Sequence, residues 1–473
     1  MTIRAVAWRL ALIAAATAAG FWETWVSVWK SAVDGGSIGY IVLIPLLAAI
    51  VAFGVAHRPH RGPLIQDRQT DVIVGLVVLV IALSVDRMLV PRLSPYYFLL
   101  NLDVLAAWLF VLSAVVLLFG LRLVSCYWQV AVFVLVACPL VYRVLAVALG
   151  GGGFAYGFVM VIFSSVAVSF AFGRGRRALI LFGLCLIAGA VAIVIALQPR
   201  LVTFELQLIG TVVTIAIGAV WWPVSRRRGP VSVAAAPPVS LPRALRAVIL
   251  VAIACVLFAF IPLPAQATAE PPAGPPWTGD TGLIVPPGWT QLSTTPYDWA
   301  QHYFSSRTST LVRQTIRTTT ADPRWDSLGR KRTAQIDVLT VGNPVALEVT
   351  PVRMSYDLSH GRVSATVPVD IGRGITAHMS TVVDDNLLLT WTNLSFEWDR
   401  GDKRVQRITI VTVDNHEPDA YFPEPVPSPI GNIGDFLQLL FRGVAAVSDT
   451  RSEFKDSDLV QTLARQLVEV QKW

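Results

Sequence analysis

Nine long apolar runs occupy the first 264 residues of this chain and restrict its fold more than any other feature. A helix needs about 20 apolar residues to cross a bilayer. The runs cover approximately residues 5–22, 39–56, 71–86, 98–120, 128–148, 154–172, 178–197, 203–222 and 245–264. With 54% hydrophobic and 15% charged residues, the chain does not have the composition of a single soluble domain. The sequence predicts an α-helical polytopic membrane domain of about nine transmembrane helices over residues 1–264.

Charge is divided unevenly between the two parts of the chain. Residues 1–264 hold 19 Lys and Arg against 7 Asp and Glu, a net charge of +12, whereas residues 265–473 have a net charge of −5. Because the positive surplus lies in loops between apolar runs, it indicates a membrane protein rather than a nucleic-acid-binding protein. We expect membrane lipids and a membrane or exported protein as partners, and no nucleic acid.

The arginines between the apolar runs predict an orientation. Alternate loops are basic, with arginines within residues 58–68, at 122, within 174–177 and within 226–246, whereas the other loops hold few basic residues. Basic loops stay on the cytoplasmic side of a membrane. With nine spans, the sequence predicts a cytoplasmic N-terminus and an extracytoplasmic C-terminal domain.

The C-terminal part has a different pattern. A proline-rich linker at residues 265–276 precedes short stretches rich in Val, Ile, Thr and Leu, separated by Gly, Asp and Asn. The stretches are residues 308–320, 332–341, 345–356, 362–369, 381–393 and 404–413. Residues 435–447 and 456–470 return to helical spacing. The sequence predicts an extracytoplasmic α+β domain over residues 277–473, with an antiparallel sheet, C-terminal helices and, since it has no cysteine, no disulfide.

Specific catalytic signatures are absent from the sequence. It has no P-loop, no GxGxxG after a strand, no HExxH and no CxxC pair. The string Gly35–Gly39 matches GxSxG, but a nucleophile elbow needs a preceding strand, and here the string stands between two apolar runs. The six histidines have no metal-ligand spacing. We expect neither a metal ion nor a cofactor.

Polar residues inside the apolar runs are the first candidates for a site, because a charge in lipid is costly and usually functional. Asp103, Arg143 and Glu205 fall at the same end of their predicted spans and form a candidate intramembrane polar cluster. Cys138 precedes Arg143 by about one and a half helical turns. A guanidinium beside a thiol favours a nucleophilic thiolate, which makes Cys138 and Arg143 candidate catalytic residues. The alternative is that Arg143 pairs with Asp103 or Glu205 to join helices, with Cys138 as a core residue.

Two acids in the predicted first outer loop are further candidates. Membrane glycosyltransferases that act on lipid-linked sugars place a catalytic acid in such a loop, and Glu23 or Asp34 has the required position. The neighbouring tryptophans are equally typical of an aromatic belt at a membrane surface.

Part of the sequence resembles the exosortases, bacterial membrane cysteine enzymes that recognise a C-terminal anchor on exported proteins. The matching order in their first outer loop and second span is Trp29, Asp34, Ser37-Ile38-Gly39 and Ile44-Pro45. Residues 387–397, residues 399–413 and Pro423 resemble a strand-rich outer domain that is fused to some exosortases. The resemblance implies a multi-pass protein of the bacterial plasma membrane that takes part in cell-envelope assembly or export.

The catalytic Cys-Arg-His pattern of the exosortases is not matched. Ile38 stands where the family has a histidine between serine and glycine. The string Ala137-Cys138-Pro139-Leu140 lacks the Ser-Gly that follows the family's nucleophile, and no histidine occurs between His60 and His302.

We therefore expect a non-catalytic, exosortase-like membrane component that binds or organises partners in bacterial cell-envelope assembly or export through its outer domain. The alternative is a membrane enzyme. It would be either a thiol transpeptidase that uses Cys138 or a lipid-linked sugar transferase that uses Glu23 or Asp34.

Overall fold

A computed structural model of the chain covers two compact units, which divide at residues 269 and 270. The structure describes residues 3–33, 36–58, 68–94, 97–149, 153–196, 203–225, 241–264, 271–279, 282–303, 309–342, 347, 352–356, 361–385, 387–402, 404–426, 448–449 and 453–473.

The N-terminal unit is built from α-helices. They are α1 Ile3–Gly20, α2 Trp22–Val33, α3 Ile44–Ala56, α4 Arg68–Ser84, α5 Val90–Arg92, α6 Tyr97–Leu100, α7 Leu102–Phe119, α8 Leu121–Cys126, α9 Trp128–Val136, α10 Pro139–Ala148, α11 Gly153–Phe172, α12 Arg176–Ala196, α13 Thr203–Ser225 and α14 Leu241–Ala259. A 3-10 helix, Ser37–Val42, leads into α3, and a π-helical turn, Val85–Leu89, joins α4 to α5.

Six helical segments among the described residues are long and apolar enough to cross a membrane, and there are up to eight if each bent pair counts as one span. The six are Ser37–Ala56, Gln69–Arg92, Leu102–Phe119, Gly153–Phe172, Arg176–Ala196 and Thr203–Trp222. The bent pairs are α1 with α2, at 77°, and α9 with α10, at 56°. The last predicted span corresponds to a shorter apolar helix, Leu245–Ala259. The predicted architecture of many apolar helices is present, and the count of nine stays a prediction.

The segment predicted as the first outer loop is largely helical, which corrects the sequence-based expectation for Glu23. Helix α2 spans Trp22–Val33 and buries Thr24, Val28 and Ala32, which are spaced four residues apart on one face. Because polar residues interrupt the apolar run, the segment reads as a loop in hydropathy, yet its burial has helical periodicity.

Helices α3, α11 and α13 pack closely and position the polar residues described below. A Cβ atom at Gly54 would lie 2.5 Å from Cα of Ala171, so only glycine permits this approach of α3 to α11. A Cβ atom at Gly210 would lie 2.6 Å from the side chain of Val161, which shows the same close approach between α13 and α11. Small residues at helix contacts are typical of membrane helix packing.

The C-terminal unit contains a nine-stranded sheet in which almost every pairing is antiparallel, as predicted. The strands are β1 Trp289–Tyr297, β2 Thr310–Thr318, β3 Thr333–Val341, β4 Gly361–Ser364, β5 Val367–Asp370, β6 Thr376–Asp384, β7 Leu389–Asp399, β8 Val405–Val413 and β9 Ser448–Asp449. Their order is β1-β2-β3-β8-β7-β6-β4-β9, with β5 also paired to β6. Among the described residues, β4 and β9 pair in parallel, and an isolated parallel bridge joins Ala273 to Asp399.

Two helices are described in this unit, and one predicted strand is wrong. A short helix, α15 Trp299–Tyr303, connects β1 toward β2, and α16 Ser457–Val470 matches the predicted helix at 456–470. The predicted helix at 435–447 lies outside the described residues. Within the predicted strand at 345–356, Val352–Ser355 form a 3-10 turn instead.

One face of the sheet carries the main core of the C-terminal unit. Alternate side chains of β3 and β8, such as Ile336, Ile408 and Ile410, are fully buried there. Helix α16 covers this face with an apolar stripe that includes Leu463 and Leu467. The helix at the end of the described chain therefore packs on the sheet.

Part of the predicted linker belongs to the sheet domain. The N–H of Asp399 donates to the carbonyl of Pro272, and the N–H of Gly274 donates to the carbonyl of Asp399, over 2.8 and 2.7 Å. The N–H of Trp277 donates to the carbonyl of Arg400. Residues 272–277 thus run beside the end of β7.

We expect residues 271–473, expressed alone, to fold without the helical unit, because their core is internal and includes α16. Circular dichroism should give a β-rich spectrum that reductant leaves unchanged, since this part has no cysteine. A disordered spectrum would contradict the expectation. A fragment that begins at residue 279 and lacks the strand-paired segment should be less stable.

Candidate functional site

The candidate functional site surrounds the break between α9 and α10. Cys138 lies at this break, directly before Pro139, which lacks an N–H and disfavours helical geometry in the residue before it. The hydroxyl of Tyr40 donates to the carbonyl of Ala137 over 2.9 Å, so it satisfies an oxygen at the end of α9. Cys138 interacts electrostatically with Arg143 and Tyr40.

The guanidinium of Arg143 lies among neutral oxygen atoms. The residue is 4% exposed. Its Nη1 donates to the carbonyls of Phe98 and Leu99 and, over 2.8 Å, to Oδ1 of Asn101. Its Nε approaches Oγ of Ser37 at 3.4 Å. Arg143 therefore connects α10 to the segment before α7 and to the start of the α3 span.

The local fold explains why these carbonyls are available. Helix α6 is a single turn that ends at Asn101, whose φ of 40° and ψ of 56° are left-handed. Asparagine tolerates this conformation better than most residues, and it commonly ends helices. The last carbonyls of a helix have no helical partners. Arg143 supplies the missing donors to two of them.

A second layer of polar side chains joins three helices beside Arg143. The hydroxyl of Tyr142 donates to the carbonyl of Tyr156 over 2.6 Å. Nε2 of Gln207 donates to the hydroxyl of Tyr142 over 2.7 Å and to the carbonyl of Ser37 over 2.8 Å. The rings of Tyr40 and Tyr142 stack with centroids 3.7 Å apart. These contacts hold α10, α11, α13 and the 3-10 helix at the start of α3 in one arrangement.

Acidic side chains collect on the other side of the same segment. The hydroxyl of Tyr97 donates to Oδ2 of Asp103 over 2.8 Å, and the buried Asp86 interacts electrostatically with Asp103. Glu23 accepts from the N–H of Leu263 over 3.1 Å. Glu23 and Asp86 line a cavity of about 10 Å³, which has room for about one water molecule and none for a sugar ring.

The structure brings together some of the predicted site residues and separates others. Cys138 and Arg143 are neighbours, and Arg143 and Asp103 both bond to the segment at residues 97–103. In the alternative in which Arg143 joins helices, the sequence suggests Asp103 or Glu205 as its partner. In the described contacts, Arg143 bonds to the carbonyls of Phe98 and Leu99 instead. Glu205 is exposed near the start of α13. Asp34 lies outside the described residues.

Several residues of the site were not candidates in the sequence. They are Ser37, Tyr40, Asn101, Tyr142, Tyr156 and Gln207. Gln207 had a usable signal, since an amide inside an apolar run commonly hydrogen-bonds to a neighbouring helix. The tyrosines had none, because aromatic residues are common in such runs.

No histidine lies near the thiol in the described part of the N-terminal unit. The one that is described, His57, follows α3, and its Nδ1 lies 2.8 Å from the carbonyl of Phe53. Ser37 begins the same span, so His57 is about 30 Å from it along the helix axis, at 1.5 Å per residue. No group of three or more His, Cys, Asp or Glu suited to a metal ion occurs among the residues that the structure describes.

Comparisons of this chain with protein-family models, with curated protein sequences and with solved structures found no match. A function for this chain is therefore inferred from the geometry of its site.

Proposed function

We propose that this chain is a non-catalytic, exosortase-like component of a bacterial plasma membrane. Its helical unit anchors it, and its C-terminal sheet domain binds an extended segment of a partner protein outside the cytoplasm. The long apolar helices and the basic alternate loops support the membrane location. The sheet domain then lies in the compartment where envelope assembly and export take place.

The observation that supports the proposal is the set of hydrogen bonds that Arg143 makes within the protein. A thiol enzyme needs a base for the thiol proton and free donors for the oxyanion. Here Nη1 of Arg143 is occupied by oxygens of the protein, and the nearest described histidine of this unit lies at the opposite end of α3. Arg143 and Cys138 are thus arranged as structural residues, which favours binding over catalysis.

The sheet domain offers one strand with the properties of a docking edge. β1 ends the sheet, and no described strand pairs with its outer side. Between Trp289 and Tyr297 every residue is exposed, and none carries a charge. Proteins usually protect such edges with charged residues, which are absent here. An edge of this kind binds extended peptides by strand addition.

The free edge presents its main-chain groups at defined positions. Pro296 has no N–H, and proline within a strand belongs on an edge with its nitrogen facing away from the sheet. Main-chain groups alternate along a strand, so Thr294, two residues earlier, directs its N–H to the same outer side. An added peptide strand would accept a hydrogen bond from Thr294.

Substitution at Thr294 tests this proposal in a deletion strain complemented at matched protein abundance. Thr294→Pro removes the outward N–H without removing a donor to β2, and we expect it to reduce function at least about tenfold, because a proline blocks the added strand. Thr294→Val keeps the N–H and is the matched control. Equal function of the two variants would contradict strand addition at this edge.

Two further variants separate the remaining alternatives. Thr294→Cys should react with a membrane-impermeant maleimide in intact cells, where the unsubstituted chain is the control. Absence of labelling in intact cells but not in lysed ones would contradict the outer location. Cys138→Ala should complement fully. If it fails at normal abundance, the thiol-transpeptidase alternative replaces the present proposal.

A further inference from the structure

An apolar groove lies between α3, α11 and α13 at the end of the helical unit opposite to Arg143. It is lined by Ala49, Ile50, Phe53, Phe172, Ala219 and Trp222, with a volume of about 450 Å³. This volume is within the range of small-ligand sites, about 300–1,000 Å³. The described lining side chains are aliphatic or aromatic, so the groove suits a hydrocarbon rather than a polar metabolite.

Aromatic rings give the groove a fixed shape. The ring of Trp222 lies 4.7 Å from that of Phe53 and 5.3 Å from that of Phe172, measured between centroids. The ring of His57 packs on Phe53 at 4.3 Å. Phe53, Phe172 and Trp222 thus form an aromatic wall of the groove, and His57 packs against Phe53.

Arg58 and Arg174 lie just beyond the ends of α3 and α11, next to the groove. Nη2 of Arg58 donates to the carbonyl of Phe170 over 2.8 Å, and its guanidinium lies 3.6 Å from the ring centroid of the same residue. Nη2 of Arg174 donates to the carbonyl of His57 over 2.6 Å. The two guanidinium groups repel each other, and among the described residues neither forms an ion pair with an acid. The pair thus attracts an anion.

We infer that this groove holds one acyl chain of an anionic phospholipid, whose phosphate binds Arg58 and Arg174. The two parts of such a lipid match the two parts of the site, since the walls are apolar and the adjoining end is cationic. Both arginines belong to the loops predicted to be cytoplasmic, and anionic lipids there attract basic residues. The inference rests on the membrane location in the proposed function, and it is independent of partner binding at β1.

The test measures lipid retained by the purified full chain. The protein is extracted from nanodiscs of equal phosphatidylglycerol and phosphatidylcholine, and bound lipids are counted by native mass spectrometry. We expect phosphatidylglycerol to be enriched in the wild type. In the double variant Arg58→Gln and Arg174→Gln, the enrichment should fall about thirtyfold, since each basic residue near an anionic surface contributes about fivefold. Arg122→Gln is the matched control, because α8 contributes no residue to the groove.

A second variant keeps the test decisive if loss of both arginines impairs folding. Ala219 is exposed and lines the groove, so Ala219→Leu fills part of it without altering the core. It should lower retention of both lipids and leave thermal stability unchanged. Unchanged enrichment in the double variant, or unchanged retention in Ala219→Leu, would overturn the inference. Displacement of the lipid by inorganic phosphate alone would also overturn it, since the acyl chain is then not required.

Labelling and complementation at Thr294 distinguish this result from a failure of the proposed function. If the groove variants lose lipid but still complement the deletion strain, whereas Thr294→Pro does not complement it, the lipid site and the docking edge are separate. If the impermeant reagent does not reach Thr294→Cys in intact cells, the orientation is wrong, and an acidic-lipid site on the cytoplasmic leaflet is excluded with it.

Discussion

Replacing Arg143 with methionine is expected to remove most of the folded protein from the membrane. The change leaves the partly buried carbonyls of Phe98 and Leu99 and the buried amide oxygen of Asn101 without their donor. A buried acceptor that loses its partner costs about 1–3 kcal/mol, so the three together should reduce the free energy of unfolding by at least about 3 kcal/mol. That is a large part of the stability of a typical domain.

The measurement is abundance in the membrane together with the apparent melting temperature in detergent. Cys138→Ala is the matched control, because it removes a small side chain at the same helix break without removing a donor to these oxygens. Arg143→Lys should give an intermediate result, since lysine keeps the charge but lacks the planar fork of donors. Normal abundance and melting temperature of Arg143→Met would show that the guanidinium is not a structural link and would return it to the list of catalytic candidates.

The elements that the sequence predicts well are those whose signal is spread over many residues. A run such as 153–172 is mostly apolar and has no charged residue, and it forms one long helix. The sequence likewise predicts strand β8 and helix α16, because their apolar residues repeat with the period of a strand or a helix. A single deviating residue does not alter such a pattern.

The contacts of the candidate site could not be read in this way. Arg143 bonds to main-chain carbonyls, and every residue has a carbonyl, so no side-chain type marks the partner. These carbonyls are available because Asn101 has a left-handed conformation. A single asparagine in an apolar stretch does not predict that conformation. An acidic partner such as Asp103 or Glu205 was the natural expectation from charge alone, and the geometry of α6 overrides it.

The sequence does not predict the edge strand β1, for a related reason. Its residues from Thr290 to Pro296 are exposed on both faces, so the strand lacks the alternation of apolar and polar residues by which strands are recognised. Pairing with β2, which is almost wholly buried, is what fixes β1 in the sheet. Register with a neighbour, rather than local propensity, determines this element.

Breaking the buried ion pair between β2 and β3 should strongly destabilise the sheet domain. Arg313 and Asp337 are directly opposite in the antiparallel register, and each is 4% exposed. Nε and Nη2 of Arg313 donate to the two carboxylate oxygens of Asp337, each over 2.7 Å. The hydroxyl of Tyr356 donates to Oδ2 of Asp337 over 2.6 Å.

Electrostatic interactions keep the guanidinium of Arg313 charged and the hydroxyl of Tyr356 protonated. Burial alone lowers the pKa of Arg313, but the hydrogen bonds and charge of Asp337 outweigh burial and hold that pKa above its usual value. Burial and the charge of Asp337 raise the pKa of Tyr356, so its hydroxyl stays protonated and remains a donor. Arg313→Leu therefore leaves the buried carboxyl group of Asp337 with one hydrogen-bond donor in place of three.

We expect Arg313→Leu to lower the free energy of unfolding of residues 271–473 by about 3–5 kcal/mol, measured by urea denaturation. The double variant Arg313→Leu and Asp337→Leu should recover much of this loss, because two apolar residues leave no buried charge. Arg362→Ala is the surface control: Arg362 and Asp385 form an ion pair at 3.0 Å, but their side chains are 51% and 57% exposed. An exposed pair contributes about 0–1 kcal/mol. A loss in Arg313→Leu no larger than in Arg362→Ala would mean that the sheet relaxes to admit water at Asp337, and the ion pair would then determine register rather than stability.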